Sequence, residues 1–234
     1  NPNVHIIPDN HSELEQRMPT TINEVRGILW EGFSSNLKNL ASAKDDILEI
    51  LKDNLLRILN DVQNFPLSDL EMIASNLRRM FLQNGTLFVF GNGGSAAEAN
   101  HLAAEFVGKC VKDHPPFSAI SLNSNSSALT AIANDYGYEN VFSRQVDASV
   151  TKNDIVIGLS TSGKSISVRN ALVRASEIGA ECYLWTSESA QAIQGVKMLR
   201  VFSESTPRIQ EIHLIWSHFV AEVFELLLEE DRNA

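Results

Sequence analysis

From Gly85 onward the chain alternates short apolar runs with longer helix-forming stretches, and this alternation limits the fold more than any other feature. Short strands that alternate with helices are typical of a parallel sheet covered by helices on both faces. The sequence therefore predicts the α/β class, with three layers and a five-stranded parallel sheet flanked by helices. The predicted strands are Leu87–Phe90, Ser118–Leu122, Ile155–Leu159, Cys182–Trp185 and Leu199–Phe202.

Helical stretches lie between the predicted strands and after the last one. Ligands of such sheets bind beyond the carboxyl ends of the strands. Two informative loops lie there, because Gly91–Ser95 follows the first strand and Ser160–Ser165 follows the third. The predicted helices are Ala96–Val107, Ser126–Asn134, Ser165–Glu177, a short helix near Ser189–Val196, and a last helix from about Arg208 to Glu229.

The region before residue 85 has a different pattern. Residues 1–30 start polar and contain proline, which predicts an arm or linker. Leucine and isoleucine recur at helical spacing over 31–84, so a helical segment is expected before the α/β domain over 85–234. Because the chain begins with Asn1 instead of Met, we expect a processed or excised piece of a longer protein.

Composition and charge narrow the class of protein. A hydrophobic content of 44% and a charged content of 21% are ordinary for a soluble globular protein. The net charge of −10 argues against nonspecific binding to nucleic acid or to an anionic membrane surface. No apolar run reaches the ~18 residues of a membrane span. Cys110 and Cys182 have neither metal-type nor disulfide-framework spacing, so a reducing cytoplasm is the expected setting.

The loop Gly91-Asn92-Gly93-Gly94-Ser95 joins a predicted strand to a helix start. Such a glycine turn brings backbone N–H groups close to a ligand, and the helix dipole favours an anion there. The spacing is neither the dinucleotide pattern GxGxxG nor the Walker pattern, so nucleotide binding has no specific support. By itself the loop fits an anion site and also a plain strand-to-helix turn.

The second loop, Ser160–Ser165, crowds four hydroxyl groups at the start of a predicted helix. Hydroxyls and free N–H groups at a helix N-terminus suit phosphate oxygens. One hydroxyl is enough to cap the helix, and four exceed that need, so a phosphate site is the favoured interpretation. Lys164 either adds charge or points to water. The hydroxyls belong to Ser160, Thr161, Ser162 and Ser165.

Four polar residues on two predicted helices form a further pattern. His101 and Glu105 are four residues apart and share one helix face. Gln210 and His218, eight residues apart, also share a face. Together they can hold a divalent ion such as Zn²⁺, or act as a carboxylate base and an imidazole acid without metal. Taken singly, each histidine is more often an ordinary helix residue. His213 cannot share a face with both Gln210 and His218, and no role is assigned to it.

Asn134 and Asp135 end the helix that follows the second predicted strand. A carboxylate in this position fits the recognition of substrate hydroxyl groups. A polar helix end followed by a turn fits the same residues. Their place in the loop does not decide between the two interpretations.

Four stretches, in this order, resemble the sugar isomerase (SIS) domain family and, within it, the sedoheptulose-7-phosphate isomerases, also called phosphoheptose isomerases. The resemblance covers residues from about 85 to 230 and implies a flavodoxin-like fold. It also implies that the N-terminal helices pack on this domain and in subunit contacts. The stretches are GNGGSAAEANHLAAEF at Gly91–Phe106, AIANDYGYENVFSRQV at Ala131–Val146, GLSTSGKS at Gly158–Ser165 and RIQEIHLIWSH at Arg208–His218.

The resemblance implies an aldose–ketose isomerase that converts sedoheptulose 7-phosphate to D-glycero-D-manno-heptose 7-phosphate through an enediol. Glu105 is implied as the base and His218 as the acid, although a carboxylate that also binds Zn²⁺ is a weaker base. The implied zinc ligands are His101, Glu105, Gln210 and His218. The implied substrate contacts are Asn92, Gly93, Gly94, Ser95, Glu105, Asn134, Asp135, Ser160, Thr161, Ser162, Ser165 and Gln210. A homotetramer with sites at subunit interfaces is implied as well.

Two other functions remain open. A related branch of the family binds the replication initiator without catalysis, but an adaptor would have no reason to keep all four polar residues. Other members isomerise arabinose 5-phosphate or hexose phosphates. The arabinose-phosphate enzymes usually carry C-terminal regulatory domains, which we do not expect here because the chain ends at Ala234. Thr206-Pro207 stands where the family often has Asp, and this difference affects sugar contacts from that loop.

Overall fold

The computed structural model describes residues 48–58 and 64–233, the last three of these by their backbone alone. The chain divides into two compact units, 1–53 and 54–234, and the architecture below is that of the second. The expected arm over 1–30 lies outside the described residues, as does most of the expected helical segment before residue 64. The boundaries at residues 30 and 84 therefore stay predictions.

One sheet of five parallel strands forms the centre of the second unit. The strands are β1 (Leu87–Gly91), β2 (Ala119–Ser121), β3 (Ile155–Leu159), β4 (Glu181–Ser187) and β5 (Val196–Val201). Their spatial order is β2-β1-β3-β4-β5. This is the flavodoxin-like order of a doubly wound sheet, which confirms the predicted fold class.

Helices cover both faces of the sheet. They are α1 (Leu67–Leu82), α2 (Gly94–Val107), α3 (Ser126–Tyr136), α4 (Ser143–Ser149), α5 (Ile166–Ile178) and α6 (Thr206–Asn233), with a 3₁₀ turn at Tyr138–Asn140. The sheet thus lies between α1, α2 and α6 on one face and α3, α4 and α5 on the other. Within the described ranges, none of these helices is long and apolar enough to cross a membrane.

The alternation of side chains along each strand builds two separate cores. Successive residues of a strand point to opposite faces of the sheet. In β1, Leu87 and Val89 join the core beneath α1, α2 and α6. Phe88 and Phe90 join the core on the opposite face. Because both faces are covered, β1 and β3 are buried along their whole length, and this is why they read as continuous apolar runs.

Two local features differ from expectation. Ser68, with Glu71 three residues later, has capping-box spacing, but α1 begins at Leu67 after Pro66 and no side chain caps it. The short helix predicted near Ser189–Val196 is wrong, because residues 188–195 form turns and irregular chain. No run of helical hydrogen bonds forms in this segment. Instead, the guanidinium of Arg200 donates hydrogen bonds to three backbone carbonyl groups at its start. The acceptors belong to Ser187, Glu188 and Ala190.

Candidate functional site

The two loops singled out from the sequence leave the sheet side by side. β1 and β3 are neighbours, and Gly91 lies opposite Leu159 in their register. The loops Gly91–Ser95 and Ser160–Ser165 therefore begin together at the carboxyl edge, where doubly wound sheets bind their ligands.

The glycine turn starts α2 directly at the edge of the sheet. A Cβ atom on Gly91 would lie 2.7 Å from the Cβ of Ser95, and one on Gly94 would lie 2.8 Å from the Cδ of Gln210. Gly93 has a φ of +58°, which residues with a side chain rarely adopt. The glycines are therefore needed for a turn this tight. They also let the Gln210 amide, half-buried on α6, reach the first turn of α2.

Asn92 ties the two loops together. Its Nδ2 donates hydrogen bonds to the Oγ of Ser165 (2.6 Å) and to the Oγ of Ser167 (3.0 Å). Its Oδ1 accepts a hydrogen bond from the hydroxyl of Tyr138 (2.8 Å). Ser167 lies outside the family stretches, and Tyr138 lies within the stretch Ala131–Val146 but has no contact assigned from it, so sequence reasoning missed both roles. Only their hydrogen bonds to Asn92 in the folded chain reveal them.

Asn123 is a second residue that sequence reasoning missed. It follows β2 and pairs with the backbone of Gly91 on both sides. The Gly91 N–H donates to its Oδ1 (3.1 Å), and its Nδ2 donates to the Gly91 carbonyl (2.9 Å). A side-chain amide thus continues the β2–β1 ladder one step beyond the strand, which fixes where the glycine turn begins.

The hydroxyl-rich loop is held by backbone bonds to the end of β4. Ser160 is buried, and its N–H donates to the carbonyl of Trp185 (3.1 Å). The Ser187 N–H donates to the carbonyl of Thr161 (3.1 Å). The Oγ of Ser162 accepts a hydrogen bond from the backbone N–H of Lys164 (3.2 Å). The three hydroxyls are therefore presented on a loop whose backbone is fixed.

Arg169 braces the loop from the side of α5. Its guanidinium donates to the carbonyls of Gly163 (3.1 Å) and Gln191 (3.0 Å). Gly163 has a φ of +63°, and a Cβ there would collide with Ala190. Beside this brace lies an open cleft of about 420 Å³, lined in part by Lys164. Two cations at a helix N-terminus give the cleft a positive lining that suits an anion.

Across the α2–α6 contact, His101, Glu105 and His218 converge. The Nε2 atoms of the two histidines are 2.8 Å apart, and the Nε2 of His101 is 3.1 Å from the Oε1 of Glu105. One nitrogen or oxygen atom from each of the three lies within 4.8 Å of the others. The side chain of Glu105 is 13% exposed and that of His101 is 41% exposed, so ligands can reach the group. The sequence predicted that four polar residues of these two helices lie together. The structure brings three of them together.

Two imidazole nitrogens and one carboxylate oxygen form a donor set that fits a divalent transition metal ion. Zn²⁺ prefers four such ligands at about 2 Å. Gln210, on the same helix as His218, has its amide against Gly94 near the start of α2. It stays a prediction as the fourth ligand.

The remaining candidates lie elsewhere. Asn134 and Asp135 are exposed at the end of α3, where the Asn134 amide donates to the Asp135 carboxylate (2.7 Å). Their role in hydroxyl recognition stays a prediction. His213 is fully buried between Trp185 and Trp216, with its Nδ1 3.8 Å from the Oε2 of Glu98. Burial lowers the pKa of His213, which keeps the ring neutral.

The chain after α2 is pinned to α6 by a buried carboxylate. Glu225 accepts hydrogen bonds from the backbone N–H groups of Cys110 (2.8 Å), Val111 (3.1 Å) and Lys112 (2.8 Å). Burial, and then the charge of and hydrogen bond to Glu105, raises the pKa of the Cys110 thiol to about 12. In the metal-free protein the Cys110 thiol beside the cluster therefore stays protonated.

Sequence comparison places the chain among known proteins. The SIS domain family matches residues 30–187. The phosphoheptose isomerase of a Bradyrhizobium species is 42% identical over 161 residues, which cover 68% of this chain and 81% of that relative. The phosphoheptose isomerase of Helicobacter pylori is 38% identical over 176 residues, which cover 74% of this chain and 90% of that relative.

Solved structures share the architecture. The structure of phosphoheptose isomerase GmhA from Neisseria gonorrhoeae matches with a TM-score of 0.69 and 29% identity, over 78% of this chain and 98% of that one. A phosphoheptose isomerase from Francisella tularensis matches with a TM-score of 0.72 and 24% identity, over 78% and 97%. The second likeness supports the fold alone.

Proposed function

The chain belongs to the SIS domain family and, within it, to the phosphoheptose isomerases, and on that premise we propose that it converts sedoheptulose 7-phosphate to D-glycero-D-manno-heptose 7-phosphate. One observation carries the proposal. The acid/base-capable group His101, Glu105 and His218 is assembled on α2 and α6, and α2 itself starts from the glycine turn that adjoins the hydroxyl-rich loop. A sugar phosphate needs both parts, one for its anion and one for its reacting carbons.

The isomerisation moves a hydrogen between adjacent carbons through an enediol. We assign Glu105 as the base that removes the proton next to the carbonyl, and His218 as the acid that protonates the oxygen. His101 lies within hydrogen-bond distance of both, which supports their placement at one reacting centre. Positioned acid/base groups of this kind accelerate such steps by on the order of 10²–10⁴-fold.

A zinc ion is part of the proposal. The donor set of the cluster supports Zn²⁺, and His101, Glu105, His218 and Gln210 would hold it. When bound, it supplies Lewis-acid polarisation of the substrate's carbonyl and hydroxyl oxygens. Metal analysis of the purified protein tests this part: about one zinc per chain is expected, and a metal-free protein with full activity would contradict it.

The phosphate is assigned to the Ser160–Ser165 loop. Ser160, Thr161, Ser162 and Ser165 supply hydroxyls, and the N-terminus of α5 supplies backbone N–H groups. The sugar chain then runs toward the glycine turn. Asn92, Gly93, Gly94 and Ser95 are proposed to contact it there. Asn134, Asp135 and Gln210 are proposed as further contacts.

We also propose a homotetramer in the cytoplasm with sites at subunit interfaces. Exposed apolar side chains on α6, namely Leu214, Ile215 and Leu226, support association. Both Cys110 and Cys182 are free thiols, which supports a reducing compartment. Light scattering tests the assembly, and a clean monomer would contradict it.

A second candidate is isomerisation of another sugar phosphate. It is favoured by Thr206-Pro207, which replaces an expected acidic residue and forms the first turn of α6. Pro is well tolerated there, because the first N–H groups of a helix have no partner in it. The substitution therefore leaves the helix intact and changes only what the loop can contact.

A coupled assay across heptose, hexose and pentose phosphates tests the proposed function. We expect the highest kcat/KM with sedoheptulose 7-phosphate. Preference for a pentose or hexose phosphate would favour the second candidate. Absence of turnover with every sugar phosphate, together with tight binding to a partner protein, would favour the adaptor.

A further inference from the structure

We propose that Tyr138 is a positioning residue for phosphate binding, which acts through Asn92 to keep the hydroxyl hydrogen of Ser165 free for the anion. The inference rests on the proposed function, because it assumes that the Ser160–Ser165 loop binds phosphate. It concerns a residue to which the family resemblance assigns no contact, and it is carried by hydrogen bonds that link three separate elements.

The first link joins Tyr138 to Asn92. Gly137, at a φ of +84°, turns the chain after α3 into the 3₁₀ turn that carries Tyr138. The Tyr138 hydroxyl donates to the Oδ1 of Asn92 (2.8 Å). A phenol is a better donor than acceptor, since its oxygen lone pair is conjugated with the ring. The bond therefore selects the amide orientation in which the carbonyl oxygen of Asn92 faces Tyr138.

The second link follows from that orientation. With Oδ1 toward Tyr138, the NH₂ group of Asn92 faces the serines, and its hydrogens go to the Oγ atoms of Ser165 (2.6 Å) and Ser167 (3.0 Å). A flipped amide would instead accept hydrogens from these hydroxyls. The orientation thus decides whether the two serines are acceptors or donors toward Asn92.

The third link concerns the hydrogen of Ser165. Ser165 is the N-cap residue of α5, yet its side chain makes no capping hydrogen bond. The Oγ of Ser165 accepts from Asn92, so its own hydrogen goes either to an acceptor beside the first turn of α5 or to the Oγ of Ser167. The Ser167 contact is long, at 3.3 Å, and either hydroxyl can donate in it. An anion at the N-terminus of α5 is an acceptor of the first kind, and a charge-assisted bond there is stronger than a neutral one.

Tyr138 can be tested without disturbing the core. Its side chain is largely exposed, at 56%, so removal of the hydroxyl opens no cavity. Tyr136 provides a matched control, because it is similarly exposed at 51% and lies two residues away. Its ring faces the guanidinium of Arg144 instead of the loops.

The test compares Tyr138→Phe with Tyr136→Phe in the 234-residue chain. Tyr138→Phe removes one hydrogen bond, whose effect reaches the anion through Asn92 and Ser165. We therefore expect it to raise both the KM for sedoheptulose 7-phosphate and the dissociation constant of inorganic phosphate by about 5-fold. The kcat should stay within about twofold of the parent value, because the imidazole cluster is untouched. Tyr136→Phe should match the parent in all three quantities. Parent-like KM and phosphate affinity in Tyr138→Phe would overturn the inference.

A double-mutant cycle with Ser165→Ala checks the route. In the Ser165→Ala background, Tyr138→Phe should cause no further loss of phosphate affinity, because the hydroxyl that it positions is gone. A loss of the same size in both backgrounds would show that Tyr138 acts by another route and would overturn the inference. Phosphate affinity is measured by calorimetry and needs no turnover. A parent protein that binds phosphate but leaves sedoheptulose 7-phosphate unchanged would therefore contradict the proposed function alone.

Discussion

The hydroxyl end of the site and its imidazole end are assembled in different ways. At the hydroxyl end, the side-chain amide of Asn92 has its carbonyl and both its hydrogens engaged by Tyr138, Ser165 and Ser167. At the imidazole end, three electron-pair donors converge, and the closest two are the Nε2 atoms of His101 and His218 at 2.8 Å. The first end is satisfied by groups of the chain itself.

At the second end, a ring hydrogen of one imidazole or a bound cation must lie between the two nitrogens. Two imidazole nitrogens at this distance are compatible only when one carries a hydrogen, or when both face a positive charge. The difference suggests a division of labour, in which the hydroxyl end is preorganised for the anion and the imidazole end carries the chemistry. Mutations should therefore separate phosphate affinity from the rate of the chemical step.

The largest effect is expected from Glu105→Gln. Loss of the proposed base should lower kcat by about 10²–10⁴-fold, while affinity for inorganic phosphate should stay within about twofold of the parent value. Steady-state kinetics and calorimetry measure the two quantities. Glu222→Gln is the control, since Glu222 is exposed on α6 and has no role in the site. Isomerisation by Glu105→Gln at the parent rate would contradict the assignment of Glu105 as the base.

A smaller effect is expected from Gly163→Ala, which changes the hydroxyl end of the site. A Cβ at this position would collide with Ala190 and lie 2.9 Å from the Oγ1 of Thr186. The loop must then shift, so KM should rise about tenfold, with a stability loss of about 1–3 kcal/mol. Gly179→Ala is the control, because its φ is also positive but its Cβ would lie 3.5 Å from the Cβ of Lys152. Equal KM values for the two variants would argue against a rigid hydroxyl end.

The smallest effect concerns His213, which lies on the imidazole helix but outside the cluster. Burial lowers its pKa from 6.5, against the opposing influence of Glu98. The unfolded chain therefore takes up a proton near pH 6.5 that the folded chain does not. Stability is full above this pH and declines as the pH falls below it, by at most about 1.4 kcal/mol per pH unit.

Urea unfolding at pH 7.5 and at pH 5.5 measures this decline. His213→Asn is less stable than the parent at both pH values, because a cavity replaces the ring. It should, however, lose less stability between them than the parent does. An equal loss in parent and variant would show that His213 contributes nothing to the acid sensitivity.

Most of the fold was predictable because the central strands are buried on both faces. A short apolar run rich in isoleucine and valine, such as Ile155–Leu159, indicates a buried strand, and the structure confirms its bounds. The edge strand β5 was placed three residues late, since Lys197 and Arg200 interrupt its apolar pattern. The seven-residue helix α4 was missed, as so short a helix carries little periodicity.

The site was predictable where helical spacing or the carboxyl edge of parallel strands brings residues together, and not where one side chain bonds to a residue far along the chain. The four-residue spacing of His101 and Glu105 is enough by itself to indicate a shared helix face. Tyr138 and Asn123 act on residues that are 46 and 32 positions away in the chain. Local pattern carries no signal at that separation, so only the packing of the loops at the carboxyl edge reveals their roles.

The most direct test of the central claim is the turnover of sedoheptulose 7-phosphate by the parent protein in D₂O, followed by proton NMR. Proton transfer through Glu105 and an enediol predicts that solvent deuterium enters carbon 2 of the aldose product, because the group that carries the proton exchanges with solvent. A product formed at the full rate with no deuterium at carbon 2 would contradict the account, and so would the absence of any product.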